Sequence, residues 1–355
     1  MRAALSVPKR TSFRVQVEPL GEGFDCGSEE TILDAAFRSG YLLAHGCREG
    51  QCSACKSFLL EGEVDLKPHS SFALSEAEEE RGYALLCRAV PVSDVVVELL
   101  HFDPENYRLE VPIQSGEVTV EVVETLTHDM RRLRMRLDPG TGFSFRPGQY
   151  MELWRPDRAD SRSYSMSSLP SEPAVEFLIR RYPGGRFSGL LDGELQPGHR
   201  LAFRGPYGNM FLRPGDGPVL LVAGGSGLGP ILSLLRDLAE AGSRRPVLLV
   251  FGVRRLHDLH SLDLLESLGS RLAEFRLLAA LSEPLPDDRW EGETGRAHKV
   301  LERALGGGVA AGTQAYVAGP PPMVDAVLEA LLRLGLEEAD FHCDRFTLAA
   351  GGGGA

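Results

Sequence analysis

Apolar and polar residues alternate at Phe13, Val15 and Val17, which predicts a strand with one face on a core. The period then turns helical: Thr31-Ile-Leu-Asp-Ala-Ala-Phe37, followed by Gly40, predicts a short helix with a glycine stop. Lys56 to Leu60 and Val64 to Leu66, joined by Glu61-Gly62-Glu63, predict a hairpin, and an apolar run from Tyr83 to Ala89 and a strand from Val95 to Leu100 complete a small α+β unit. A polar stretch from Asp103 to Gly116, with Pro104 and Pro112, reads as a linker. Beyond it, Val118 to Val123, Arg131 to Leu137 and the turn-and-strand Phe145 to Trp154 open a run of short strands with Pro/Gly turns, lasting to about Pro214. So little helical periodicity predicts a β-barrel or sandwich.

The last third changes character. Val219-Leu-Leu-Val-Ala223 is continuously apolar, as a strand buried on both faces must be, and it runs straight into Gly224-Gly-Ser-Gly-Leu-Gly-Pro230. Ile231, Leu232, Leu234, Leu235 and Leu238 follow at helical spacing. Further buried strands at Val247 to Phe251, Phe275 to Ala280 and Ala315 to Ala318 alternate with helical stretches, so this third is α/β. The glycine-rich tail from Leu348 to Ala355 is predicted to fray.

Composition narrows the function classes. The 355 residues are 43% hydrophobic and 25% charged, ordinary for a soluble protein of two or three domains. No apolar run reaches 18 residues, so no membrane span is expected, and the lack of an apolar leader core points to the cytoplasm. A net charge of −12 speaks against nucleic acid. From Phe13 to Phe102 there are 16 acidic against 7 basic residues. Acidic clusters such as Glu76, Glu78, Glu79 and Glu80 read either as a solvated face or as a docking surface for a positively charged electron acceptor.

Four cysteines carry the sharpest signal. Cys47, Cys52 and Cys55 have the spacing C-x4-C-x2-C, with Cys87 after a gap of 31 residues, which suits the thiolates of a plant-type [2Fe–2S] cluster. Small residues between them, Gly46, Gly50, Ser53 and Ala54, let the backbone wrap closely. The competing readings are structural zinc, which usually takes two close cysteine pairs where this chain has one, and disulfides, which a reducing compartment disfavours. Cys26 and Cys343 read as ordinary thiols.

Four stretches remain. Gly224 to Pro230, between strand and helix, reads either as a pyrophosphate site or as a tight βα connection. Arg162-Ser-Tyr-Ser-Met-Ser-Ser168 offers a guanidinium for phosphate, the Tyr164 ring for an isoalloxazine and the Ser165 hydroxyl for a flavin nitrogen; the plain alternative is a serine-rich edge strand. Pro183-Gly-Gly-Arg-Phe-Ser188 is a pyrophosphate-holding turn or an ordinary one. Tyr316-Val-Ala-Gly-Pro-Pro-Pro-Met323 places backbone beside a ligand at the sheet's carboxyl edge, or is a proline-stiffened loop.

In this order, these motifs resemble the reductase components of bacterial multicomponent oxygenases, most closely those serving soluble di-iron monooxygenases acting on methane, propane or phenol. The resemblance covers nearly the whole chain. It implies a β-grasp [2Fe–2S] ferredoxin domain at 1–102, a linker at 103–115, an antiparallel β-barrel FAD domain at 116–214, an α/β parallel-sheet NAD domain at 215–346 and a flexible tail at 347–355. By the same resemblance Arg162, Tyr164 and Ser165 bind FAD. Gly185, Phe187 and Ser188 form its phosphate turn. Gly224, Gly225, Gly227 and Pro230, with Gly319 and Pro320, take NADH. Cys47, Cys52, Cys55 and Cys87 hold the cluster. Ser165 and Phe346, the latter in Asp344-Arg345-Phe346, are implied beside the reacting flavin. One departure stands out: the family's C-G-P-P motif reads Ala318-Gly319-Pro320-Pro321, so a slower or looser hydride transfer is expected.

The implied activity is electron splitting: two electrons enter as hydride from NADH and leave singly through the cluster to a separate hydroxylase, the chain itself being monomeric. A dioxygenase reductase shares every motif, and a non-enzymatic ferredoxin-like carrier is the reading from a different class. Arg254 and Arg255 after the second buried strand suit a 2′-phosphate, but the resemblance favours NADH over NADPH.

Overall fold

Strand β1 (Ser12–Glu18) buries Val15 and Val17 and turns into β2 (Glu22–Gly27), its antiparallel neighbour. Helix α1 (Ile32–Arg38) starts where the Thr31 hydroxyl accepts the Asp34 N–H at 3.2 Å and lays Ile32, Leu33, Ala35, Ala36 and Phe37 into the core. Then come β3 (Lys56–Glu61), β4 (Val64–Leu66), the short α2 (Glu76–Glu79), β5 (Tyr83–Leu85), β6 (Ala89–Pro91) and β7 (Val95–Leu99). The main sheet has the order β2-β1-β7-β3-β5, with β1 and β7 parallel.

The expected hairpin of Lys56–Leu60 with Val64–Leu66 does not form. β3 pairs with β5 and β7, while β4 pairs with β6 in a separate two-stranded sheet. The reason lies at Gly62, whose φ of +87° swings the chain away. A Cβ there would stand 2.2 Å from the Asp94 carbonyl, so the turn is pressed onto the start of β7 rather than folded back on β3.

This computed structural model describes residues 11–347, so the tail expected to fray lies outside the described residues. The chain divides into two compact units between Pro112 and Ile113. Residues 107–109 belong with the first: Leu42 N–H donates to Tyr107 O at 2.8 Å, Leu109 N–H to Gly40 O at 2.9 Å, and the Arg108 guanidinium lies 4.1 Å from the Tyr41 ring centre.

The second unit begins with β8 (Gln114–Thr125), β9 (Met130–Leu137), β10 (Tyr150–Trp154), β11 (Ser161–Ser165), β12 (Ala174–Arg180) and β13 (Arg200–Tyr207), in the order β11-β10-β13-β8-β9-β12. Its two ends meet. A bridge joins Met166 to Phe177, and Ser167 N–H donates to Glu176 O at 2.7 Å, so the sheet closes into a barrel around Phe145, Leu153, Phe177, Phe187 and Phe203.

Next come β14 (Val219–Gly224), α3 (Leu228–Glu240), β15 (Val247–Val253), α4 (Leu262–Gly269), β16 (Phe275–Leu281), β17 (Glu293–Thr294), α5 (Ala297–Leu305), β18 (Gln314–Gly319), α6 (Pro321–Arg333) and β19 (Phe341–Arg345). The sheet is parallel, in the order β17-β16-β15-β14-β18-β19. Strand order reverses between β14 and β18, which opens a crevice at their carboxyl ends. Among the described residues no helix is long and apolar enough to cross a membrane.

Candidate functional site

β3 and β5 bring two cysteines together. Lys56 pairs with Leu85 and Leu86 N–H donates to Cys55 O at 3.1 Å, so Cys55 and Cys87 emerge side by side at one end of the pair. The thiols engage two by two, Cys47 with Cys52 and Cys55 with Cys87. The Cys52 thiol and the N–H groups of Glu49 and Gln51 draw the Cys47 thiol down to about 6. Those amides stand 3.4 and 3.3 Å from its sulfur, and Cys47 N–H is 3.2 Å from the Cys52 sulfur. Cys87 is pushed far up by Cys55 and by burial.

This donor set fits a two-iron cluster better than one zinc ion. A tetrahedral zinc holds thiolates about 3.8 Å apart. Among the described residues, however, the group of three or more ligand atoms lying within 4.8 Å of one another is His128, His257 and Asp258, not the cysteines. Two pairs with backbone amides on their sulfurs are what a binuclear cluster asks for.

The loop is made for close wrapping. A Cβ on Gly46 would stand 2.9 Å from the Cys52 sulfur, and Gly50, Arg48 and Ser53 all have positive φ. Two supports were not anticipated from sequence. Arg48 pairs with Asp34 of α1 at 3.0 Å, pinning the loop to the helix. Buried His45 has Nδ1 2.7 Å from Leu43 O and its ring edge-on to Phe37, and burial lowers its pKa to about 4, so Nδ1–H donates and the ring stays neutral. Burial also raises Cys26 to about 12 and Cys343 to about 11, consistent with ordinary thiols.

On the barrel, β11 carries Arg162, Tyr164 and Ser165. Arg162 Nη1 contacts Asp160 Oδ1 at 2.6 Å, and Arg186 reaches the other oxygen of that carboxylate at 3.4 Å. The half-buried Tyr164 ring lies 5.2 Å from the Phe187 ring. Gly185 and Ser188 form one cradle: a Cβ at Gly185 would fall 2.2 Å from Ser188 Oγ, which accepts the Tyr182 N–H at 3.2 Å. Ser165 Oγ donates to Asp344 Oδ2 at 3.1 Å.

That last bond leads to the crevice. Asp344 on β19 is in register with Ala318 on β18, and Phe346 N–H donates to Gly319 O at 2.9 Å. A Cβ on Gly227 would stand 2.1 Å from Ala318 O, and one on Gly224 2.4 Å from Met323 Sδ. Gly319, with a φ of +151°, lies against the Gly224 backbone. Pro230, three residues into α3, forfeits no hydrogen bond there. The start of α6 differs, because Pro320, Pro321 and Pro322 have no N–H to offer, leaving α3 as the helix end able to receive phosphate.

Barrel and nucleotide sheet are bolted together by polar contacts. Ser233 Oγ of α3 donates to Ser168 O at 2.7 Å, and Arg236 reaches buried Glu176 at 3.2 Å. Ser233, Glu176 and Arg236 were not found from sequence, nor was the bond of Asp344 to Ser165.

Three family models match in succession: a 2Fe-2S iron-sulfur cluster binding domain at 15–92, an oxidoreductase FAD-binding domain at 117–212 and an oxidoreductase NAD-binding domain at 221–329. The propane 2-monooxygenase reductase component of Mycolicibacterium goodii is 43% identical, over 95% of this chain and 97% of that one. The chain belongs to the reductase components of multicomponent oxygenases. The phenol 2-monooxygenase reductase component of Pseudomonas sp. (strain CF600) is 35% identical over 97% of each chain. Among solved structures, the Amycolatopsis cytochrome P450 reductase GcoB superposes with a TM-score of 0.83 at 31% identity, covering 95% of this chain and all of that one.

As a reductase of this family, the chain is an oxidoreductase that uses FAD, a [2Fe–2S] cluster and a nicotinamide dinucleotide. When bound, these groups supply a hydride donor, a centre that takes electrons in pairs and releases them singly, and a one-electron acceptor. The sulfur pairs, the Gly185–Ser188 cradle and the close-packed glycines at the crevice all fit them.

Proposed function

We propose that this chain is the NADH-dependent reductase of a multicomponent monooxygenase, cytoplasmic and monomeric, whose partner is the hydroxylase component. The meeting of the Ser165 strand with the Gly224 turn and Gly319 at the β14/β18 crevice is the observation that carries the reading, since hydride transfer needs the two reacting rings in contact at a fixed angle. In it, Arg162 leaves Asp160 for an FAD phosphate, Tyr164 and Phe187 flank the flavin, and Gly185 and Ser188 hold its pyrophosphate. The Ser165 hydroxyl turns its proton from Asp344 to a ring nitrogen, and Phe346 covers the ring. Gly224, Gly225, Gly227 and the start of α3 at Pro230 receive the NADH pyrophosphate, with Gly319 and Pro320 beside the nicotinamide. Cys47, Cys52, Cys55 and Cys87 hold the cluster. Ala318 puts only a methyl where the family has a cysteine, so we expect slower hydride transfer than cysteine-bearing reductases achieve.

The acidic cluster is partly committed within its own unit. Lys56 and Ser75 hold the Glu78 carboxyl down at about 2, and Glu79 meets His69 at 2.9 Å, leaving Glu76 and Glu80 exposed to meet a basic acceptor. Cys52→Ser tests the modular assignment. It should abolish cluster signals and cytochrome c reduction while leaving flavin reduction by NADH intact; equal loss of both would sink the scheme. A higher kcat/KM with NADPH would overturn the cofactor choice, and turnover with a dioxygenase but no monooxygenase hydroxylase would reassign the partner.

A further inference from the structure

A group of metal-binding side chains lies outside the redox sites. His128 stands in the turn between β8 and β9, on the barrel. His257 and Asp258 stand in a single 3-10 turn after β15, on the nucleotide sheet. One ligand atom from each falls within 4.8 Å of the others. Asp258 Oδ1 is 3.7 Å from His128 Nδ1 and 3.4 Å from His257 Nε2, and the two imidazoles meet edge to face at 4.8 Å between centres. Zinc at tetrahedral bond lengths spaces its nitrogen and oxygen ligands about 3.4 Å apart, so Asp258 already stands at nearly that spacing from each histidine.

The surroundings hold the ligands in that sense. The other oxygen of Asp258 accepts the Arg255 N–H at 3.0 Å, which keeps Oδ1 turned to the histidines. The far nitrogen of His128, Nε2, faces Asp129 Oδ2 at 3.8 Å, and that carboxylate is itself fixed by Arg180 Nε at 2.7 Å. At 3.8 Å the two make no hydrogen bond, but a carboxylate charge on the far side of the ring favours a cation at Nδ1. Two imidazoles and one carboxylate select late first-row divalent ions over Mg2+ or Ca2+, which prefer oxygen.

We propose that His128, His257 and Asp258 bind a zinc-type divalent cation, with water at the fourth corner, joining the β8–β9 turn to the loop after β15. Neither histidine belongs to the flavin, nicotinamide or cluster assignments, and both are exposed, so their replacement leaves the fold alone. Zn2+ is titrated calorimetrically into the holoenzyme, with iron and flavin content measured in the same sample. The expected result is one ion per chain, with affinity falling roughly tenfold or more in His128→Ala and likewise in His257→Ala. NADH-dependent ferricyanide reduction without added metal stays at the wild-type level in both. Binding at cluster-free cysteines would persist in both variants and scale with missing iron. No zinc uptake by the wild-type protein, or wild-type affinity in either variant, overturns the site.

Discussion

Replacing Gly227 with alanine tests the crevice at its tightest point. The new methyl would stand 2.1 Å from the Ala318 carbonyl oxygen and 2.8 Å from the Gly319 nitrogen. Both are backbone atoms inside a parallel sheet and cannot rotate away. Ordinary contact begins near 3.4 Å, so the turn after β14 must retreat about 1.3 Å from β18. That displaces the α3 N-terminus and its amides from the dinucleotide. A misplacement of about 1 Å costs on the order of 100-fold in rate, or about 2.7 kcal/mol of transition-state binding. Gly242→Ala, beyond the far end of α3, is the control: it has a φ of +60° and nothing within 4 Å of an added Cβ, so its cost is only the left-handed backbone, about 1–2 kcal/mol of stability. The assay is kcat/KM for NADH with ferricyanide, on samples matched for FAD and iron. Gly227→Ala should lose about 100-fold and Gly242→Ala much less. A loss in Gly227→Ala under about threefold, less than 1 kcal/mol, would refute the claim that this contact sets the cofactor's seat.

Ser165→Ala should slow flavin reduction by NADH about 10- to 100-fold in anaerobic stopped flow with FAD content unchanged, since a hydrogen bond to a charged partner contributes about 1.5–3 kcal/mol; an unchanged rate would remove Ser165 from the chemistry. Acid should weaken the flavin–nucleotide unit through His260, whose ring is buried edge-on to Phe251 with Nε2 unpartnered, and whose pKa burial lowers from about 6.5 to about 4. A folded-state pKa below the unfolded one means the unfolded chain binds the extra proton. Stability is therefore full above about pH 6.5 and falls by about 3 kcal/mol as pH drops to 4. Denaturant titrations followed by flavin release should show that slope in the wild type and not in His260→Phe, and identical slopes would clear His260.

Much of the fold was legible because local signals and tertiary demands agree. Val219 to Ala223 is apolar throughout because β14 is flanked by β15 and β18 and covered on both faces. The closed barrel could not be chosen over a sandwich from sequence, because closure rests on one bridge, Met166 to Phe177, between segments with no unusual pattern. Lys56 to Leu66 misled for a related reason. Two strand-like runs around a glycine turn describe a hairpin locally, but partners are chosen by long-range packing, and Gly62 is demanded by Asp94 rather than by a hairpin. The iron–sulfur domain was legible from cysteine spacing, since thiolate is a rare ligand whose separation along the chain is constrained by the cage.

What stayed hidden in the site is nearly all polar. Glu176, Arg236 and Ser233 are residue types that usually face water, and no spacing rule marks the few that do not. Yet Glu176 is buried with Arg236 3.2 Å away, Ser233 grips the Ser168 carbonyl, and Asp344 takes the Ser165 hydroxyl. Each joins barrel to nucleotide sheet. A buried ion pair contributes little net stability against an apolar pair of equal volume, so stability alone does not account for these bolts. Geometry does: apolar packing tolerates sliding, whereas hydrogen bonds from α3 to the segment following Ser165 fix distance and angle together. The sequence therefore names the groups we propose for each cofactor, and the polar contacts between barrel and nucleotide sheet fix the geometry of the crevice between them.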